Sequence, residues 1–575
     1  MYIIYSLYVA YICGITFGIR GDTMKHIILS SDGTGNSGGK KYNTNVWNLH
    51  TAIDRNDYEK GDCDAVQQVT FYDDGVGTDQ MKWLKLLGGA VGLGLAINVK
   101  ELYTFLVYNY EEGDKIYLFG FSRGGFTIRL LADIICTIGI LKLDHAQYID
   151  DHAVKCAVNG VYRRLRKENF RFQWFDSKSL LRNFIELCIK QLICIPSSLE
   201  PYGISQTNDS KTRKNSAYKP EIEFIGIWDT VEAYAVPSRY WGTFIDKYIY
   251  RFQSSTKVVD ARIKKICHVL SIDDERQVFH PVLWNEKNTQ QDKHCDESSR
   301  VEQVWFSGVH ANVGGGYPKQ GLAWTSLSWM MEKAKQSGLR FAKEDHEQYI
   351  ENCDYNDHLY DSRAGLASFY GYEPRDIGEI SANYQCNETL IHISTLQRIL
   401  YRTRGYAPTN LPKKFKVIDA QPFSFEQQYK IDELTRKIQA RLSEQNVLDK
   451  HKKGIQFRIW QQRIVSMSLL VGLVVSALIH LWVGTFANEL WLAPFYITAL
   501  MMFVFWVINW QLRKNLYQSA REFWSASIAD DDWQVVKEYR FSGDQYELKT
   551  YPEVKQHVEV NFNSINIGSG FFMGR

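Results

Sequence analysis

Short apolar runs punctuate the chain, and each stops at a cluster of glycine, aspartate or serine before a stretch with helical spacing begins. Residues 27–31, 66–72, 115–120, 222–227 and 300–306 read as strands, whereas 98–110 and the stretch leaving Gly124 read as helices. Strands alternating with helices predict an α/β fold: a mostly parallel sheet flanked by helices, with its working residues on the loops that leave the strands. Asp32-Gly-Thr-Gly-Asn36 is such a loop, directly after the first strand. Residues 145–218 are more basic and irregular and contain Arg163-Arg-Leu-Arg-Lys167. They read as a helical insertion ending in a polar loop, its basic run a solvated face that anionic lipid headgroups would also suit.

The two ends of the chain depart from this rhythm. Residues 1–23 are largely apolar, but no lysine or arginine precedes the apolar stretch, which makes a poor signal peptide. An extension ahead of a start at Met24 is expected, with a signal anchor and a buried helix as the alternatives. The catalytic region is then expected over 24–420, followed by a charged amphipathic helical linker at 421–462.

Residues 464–486 and 490–510 are apolar runs, each long enough to cross a hydrocarbon layer of about 30 Å, which takes roughly twenty helical residues. Lys452, Lys453, Arg458 and Arg463 precede them, Arg513, Lys514 and Arg521 follow, and the link 484–489 has no basic residue. The positive-inside rule therefore predicts a membrane hairpin over 463–512 with both ends on the cytoplasmic side. Trp482, Trp491 and Trp510 lie near the run ends, as an interfacial belt requires; a buried helical pair is the alternative. Residues 513–575 read as a polar tail with a strand at 557–561.

Composition narrows the chemistry. A length of 575 residues allows a large enzyme domain with additions, and a net charge of only +2 advertises no nucleic-acid partner. The ten cysteines form no CxxC pair and no metal-ligand spacing, so they read as reduced thiols, and no metal is expected. The glycine-rich stretch Gly88-Gly-Ala-Val-Gly-Leu-Gly94 lacks the ending of a phosphate loop and follows no clear strand. Close packing or a lid accounts for it better than a nucleotide, and no cofactor is expected.

The sharpest candidate is Gly120-Phe-Ser-Arg-Gly124, entered by a strand and left by a helix. A nucleophile elbow needs small residues two positions either side of its serine, because the backbone is strained and packs against its neighbours. Ser122 would stand at the apex, with free N–H groups of the helix start beside it. A serine nucleophile also needs a base and a carboxylate, which follow in the order Ser, Asp, His in α/β-hydrolases. Asp229 leaves an apolar strand at Ile225-Gly-Ile-Trp-Asp229, although a helix cap or loop-organising role would suit it equally. His310 sits on a glycine-flanked loop after another strand. Its competitors are His268, in a stretch from Cys267 to Arg276 that reads as a supporting helix, and His26 in the opening strand. The Arg123 N–H and the loop carrying Gly33 and Thr34 are the candidate oxyanion donors.

Taken together, Asp32-Gly-Thr-Gly-Asn36, Tyr72-Asp-Asp-Gly-Val-Gly-Thr78, Gly120-Phe-Ser-Arg-Gly124, Trp228-Asp-Thr-Val231, Asp273-Asp-Glu-Arg276, Phe279-His-Pro-Val-Leu-Trp284 and Gly308-Val-His-Ala-Asn-Val-Gly-Gly-Gly-Tyr317 carry a resemblance. Over roughly residues 25–335 the chain resembles the α/β-hydrolase family that contains the first class of type VI secretion lipase effectors. The resemblance implies Ser122 as nucleophile, His310 as base, Asp229 as its orienting acid, and phospholipase activity on glycerophospholipids at a membrane. It also implies delivery into rival bacteria, with a secretion spike protein as carrier and an immunity protein as guard. In that family's usual loop an aspartate lies two residues after the histidine; here the position is Asn312. A resident membrane esterase and a catalytically silent membrane-tethered binding protein are the competing readings.

Overall fold

The computed structural model describes residues 24–33, 36, 38–55, 66–75, 91–142, 151–169, 217–231, 259–286, 300–364, 367, 370–401, 403–443, 452–461, 464, 500, 503 and 514–524. Within them the strands are β1 (His26–Ser31), β2 (Gln68–Asp73), β3 (Lys115–Phe121), β4 (Ile140–Leu141), β5 (Ala217–Tyr218), β6 (Ile222–Trp228), β7 (Ile263–Ser271), β8 (Val301–Phe306), β9 (Leu390–His392) and β10 (Lys416–Ile418). Eight form one sheet in the order β10-β9-β8-β7-β6-β3-β1-β2, every neighbouring pair parallel. β4 and β5 pair antiparallel at the two ends of the expected insertion and pin its base.

The central strands can be apolar because helices cover both sheet faces. Along β3 the side chains alternate: Ile116 and Leu118 join one core, Tyr117, Phe119 and Phe121 the other. The first core is closed by α2 (Val91–Asn109), α3 (Arg123–Thr137) and α4 (Asp151–Asn169) through Leu102, Leu106, Leu131, Ile135 and Val158. The second is closed by α1 (Asn45–Ala52) and α6 (Gly321–Gln336) through Val46, Leu49, Leu327 and Met330. Each such side chain, fully buried, contributes about 1.5–3 kcal/mol.

Further helices are α5 (His310–Gly314), α7 (Lys343–Glu351), α8 (Ile377–Asn383), α9 (Ile393–Leu400) and α10 (Phe425–Ser443). α10 buries Ile431, Leu434, Ile438 and Leu442, one helical stripe, in a third core that also holds Ile391 of β9, Phe523 and Trp524.

Cys267–Arg276 is not a helix. Its first half belongs to β7, a strand between β6 and β8, and residues 272–276 form the loop that follows. The charged residues that suggested a helical surface, Asp274, Glu275 and Arg276, lie in that loop, while Cys267, Val269 and Leu270 are buried in the sheet. Burial by neighbouring strands outweighs the local pattern.

The two apolar runs read as a membrane hairpin fall outside the described residues except for Ile464, Leu500 and Phe503. Among the described residues no helix is long and apolar enough to cross a membrane, so the hairpin finds no support here. Residues 1–23 and the strand expected at 557–561 also lie outside them.

From β1 the chain passes to β2 on one side and then to β3 on the other. Such a reversal, at the carboxyl ends of β1 and β3, is where parallel sheets bind ligands.

Candidate active site

β3 ends at Phe121 and α3 starts at Arg123, so Ser122 makes the whole turn, at φ 56° and ψ −122°. A conformation so rarely adopted by a residue with a Cβ costs on the order of 1–3 kcal/mol and persists only where its surroundings leave no alternative. Here they are tight. A Cβ on Gly120 would lie 2.7 Å from the Gly124 carbonyl oxygen, and one on Gly124 would lie 2.1 Å from that of Ser31. The Ser122 N–H donates to the Trp228 carbonyl at 2.9 Å, tying the turn to β6.

Asp229 leaves β6 next door, fully buried, with φ 36°. His310 opens α5 just beyond β8, its ring packed between Phe121 and Phe279 at centroid distances of 4.6 and 4.9 Å. The structure joins these side chains in one line: His310 Nε2 lies 2.8 Å from Ser122 Oγ, and His310 Nδ1 lies 2.6 Å from Asp229 Oδ2. If Nδ1 carries the proton and donates to the carboxylate, Nε2 is left to accept from the hydroxyl. The His310 N–H donates to Asp274 Oδ2 at 3.1 Å, and Asp274 is paired with Arg276 at 2.7 Å. Burial lowers the pKa of His310, against the raising pull of Asp229, so the ring favours the neutral form a base needs.

Burial alone would raise the pKa of Asp229. The Arg375 guanidinium and the hydrogen bonds from His310 and Arg375 more than offset it and hold the carboxyl well below the usual range. Arg375 donates to both carboxylate oxygens, at 2.6 and 2.8 Å, and Ser271 adds its N–H at 3.0 Å and its hydroxyl at 3.2 Å. Sequence reasoning missed Arg375, and nothing in Tyr372-Glu-Pro-Arg375 sets it apart from the chain's other basic residues.

The other candidates separate. His268, on β7, accepts the Thr230 N–H at 3.3 Å, and burial, with Arg129 nearby, lowers its pKa to about 3. It is a neutral core residue. His26 starts β1, at the opposite end of that strand from the elbow. Gly33 lies against the nucleophile: a Cβ there would sit 3.3 Å from that of Ser122. Its own N–H, however, donates to Asp32 Oδ1 at 2.6 Å, while Asp32 Oδ2 accepts from Thr44 Oγ1 at 2.5 Å and Tyr72 OH at 2.6 Å. Thr34 lies outside the described residues. Arg123 stands at the first position of α3, where a helix leaves backbone N–H groups without intrahelical partners. Asn312 takes no part in the Ser122–His310–Asp229 line. Its side chain donates to the His358 carbonyl at 3.0 Å and accepts the Tyr360 N–H at 3.1 Å.

A hydroxyl on a strained turn, a neutral imidazole against it and an ionised carboxylate behind suit nucleophilic attack on an acyl carbon. Comparison with known proteins agrees with that chemistry. The profile of the T6SS (type VI secretion system) phospholipase effector Tle1-like catalytic domain matches residues 25–333, more than half of the chain. A protein of Saccharomyces cerevisiae, described only as uncharacterized, is 34% identical over 131 residues, which are 20% of this chain and 18% of that protein.

Proposed function

From the premise that the chain belongs to the family of type VI secretion Tle1-like phospholipase effectors, we propose that it is a serine-dependent hydrolase of glycerophospholipid acyl esters. The observation that carries this reading is the unbroken line from the Ser122 hydroxyl through His310 to Asp229, at 2.8 and 2.6 Å. As the ester enters, His310 Nε2 takes the hydroxyl proton and Ser122 Oγ bonds to the acyl carbon. The resulting oxyanion is met by the Arg123 N–H at the start of α3. The imidazolium, steadied by ionised Asp229, then gives its proton to the departing alkoxide, the ester bond breaks and a lysophospholipid leaves. Water, deprotonated by His310, attacks the acyl-enzyme and releases the fatty acid.

The family supports secretion into a target cell. The reading extends to an antibacterial effector, carried by a spike protein and neutralised in the producing cell by an immunity protein. The enzymatic core of the proposal is tested with phospholipid vesicles and Ser122→Ala. Fatty-acid release is expected to fall by roughly 10³-fold or more with the fold intact, and position-labelled lipids identify the acyl chain removed. Release by the variant at the wild-type rate would end the serine-hydrolase reading.

A further inference from the structure

Arg375 is fully buried, and both guanidinium termini are doubly engaged. Nη1 donates to Asp229 Oδ1 at 2.6 Å and to the Ser271 carbonyl at 2.5 Å; Nη2 donates to Asp229 Oδ2 at 2.8 Å and to the Phe279 carbonyl at 2.5 Å. The stretch that delivers it runs alongside the loop after β7. Gln277 N donates to the Gly371 carbonyl at 2.8 Å, Glu373 N to the Glu275 carbonyl at 2.9 Å, and Gln277 Nε2 to Glu373 Oε2 at 2.5 Å. The same loop carries Asp274, which accepts the His310 N–H. One short ladder thus supports the base at one end and the acid at the other.

We propose that Arg375, which lies beyond the family-matched residues 25–333, is a positioning residue for the reaction: it fixes the plane of the Asp229 carboxylate and balances its charge. The inference rests on the reading of Ser122, His310 and Asp229 as the reacting set. A two-pronged donor stops a carboxylate from turning about its last bond, so Oδ2 stays aimed at His310 Nδ1. A carboxylate without such a partner, sealed from water, would take up a proton or swing towards other donors, and either change releases the imidazole. The cation also makes Asp229 a poor proton acceptor, so the positive charge stays on His310 in the transition state, where attack requires it.

The test compares Arg375→Lys, Arg375→Met and Asp229→Asn, with the Asp229→Asn/Arg375→Lys pair, for kcat, KM and pH profile on phospholipid micelles. Arg375→Lys keeps the charge but loses the fork; it is expected to lower kcat about tenfold and leave KM within about twofold. Arg375→Met removes fork and charge together, so the carboxylate takes up a proton or turns away from His310, and kcat is expected to fall further than in Arg375→Lys, by about 100-fold. In the Asp229→Asn background Arg375→Lys is expected to cost nothing more, because the residue acts through that carboxylate. A wild-type kcat and pH profile for Arg375→Lys overturns the inference, as does an equal fractional loss with or without Asp229. Should Arg375→Met fail to fold, the lysine cycle decides alone. Ser122→Ala run alongside separates the two claims: an inactive Ser122→Ala beside a wild-type-like Arg375→Lys removes only this inference, whereas an active Ser122→Ala removes both.

Discussion

Ser122 and Asp229 share one hydrogen-bonded line yet are held in opposite ways. The serine is held by exclusion: Gly120 and Gly124, its near neighbours in the chain, let β3 and α3 come so close that the turn has nowhere else to go. The aspartate is held by attraction, from partners 42, 81 and 146 positions away in sequence: Ser271, His310 and Arg375. Steric exclusion needs only small side chains and can be written into a few consecutive residues. A buried ion needs donors, and a strand end can obtain enough of them only from elsewhere in the fold.

Perturbing each side tests that contrast. The largest effect is expected on the serine side, where Gly124→Ala would push a methyl into the Ser31 carbonyl 2.1 Å away. A loss of about 3 kcal/mol or more is expected in thermal or denaturant unfolding. A loss below about 1 kcal/mol would mean that the turn yields and exclusion is not what holds it. Next comes Asn312→Asp, which creates the aspartate of the related loop. The new carboxylate would face the His358 carbonyl that the Asn312 amide now donates to at 3.0 Å. A cost of about 2 kcal/mol is expected at neutral pH, with activity per folded molecule little changed. A stabilised variant would show that the loop does not depend on that donor.

The smallest effect is expected at His268, close behind the acid. In the unfolded chain its ring takes a proton near pH 6.5, whereas burial, with Arg129 beside it, delays protonation in the folded state to about pH 3. Between those values the unfolded state binds more protons at this group, so its contribution to stability falls as pH drops. Urea unfolding at pH 7 and pH 5 should therefore show a shallower pH dependence for His268→Gln than for wild type. Equal slopes would mean that His268 is charged in the fold.

The same contrast explains what could be read from the chain. Gly120-Phe-Ser-Arg-Gly124 was legible because its determinants are contiguous, and Asp229 and His310 because each lies in the stretch that follows a recognisable strand. Arg375 was not, since its importance depends on residues 371–373 lying along the β7 loop, a pairing no local pattern announces. β7 itself was misread because the charged loop that follows it, Asp274 to Arg276, masked a buried strand. β9 and β10 are too short to carry a period. The departure at Asn312 was visible, but only the folded arrangement reveals that it fastens residues 358–360 rather than the imidazole.

The sheet runs past the residues that the family profile matches. β9, β10 and the guanidinium on the acid all come from residues after 333. The matched residues therefore make up only part of the sheet and of the hydrogen bonding around Asp229. Excision at that point would uncover the edge of β8 and strip the buried Asp229 carboxylate of its guanidinium.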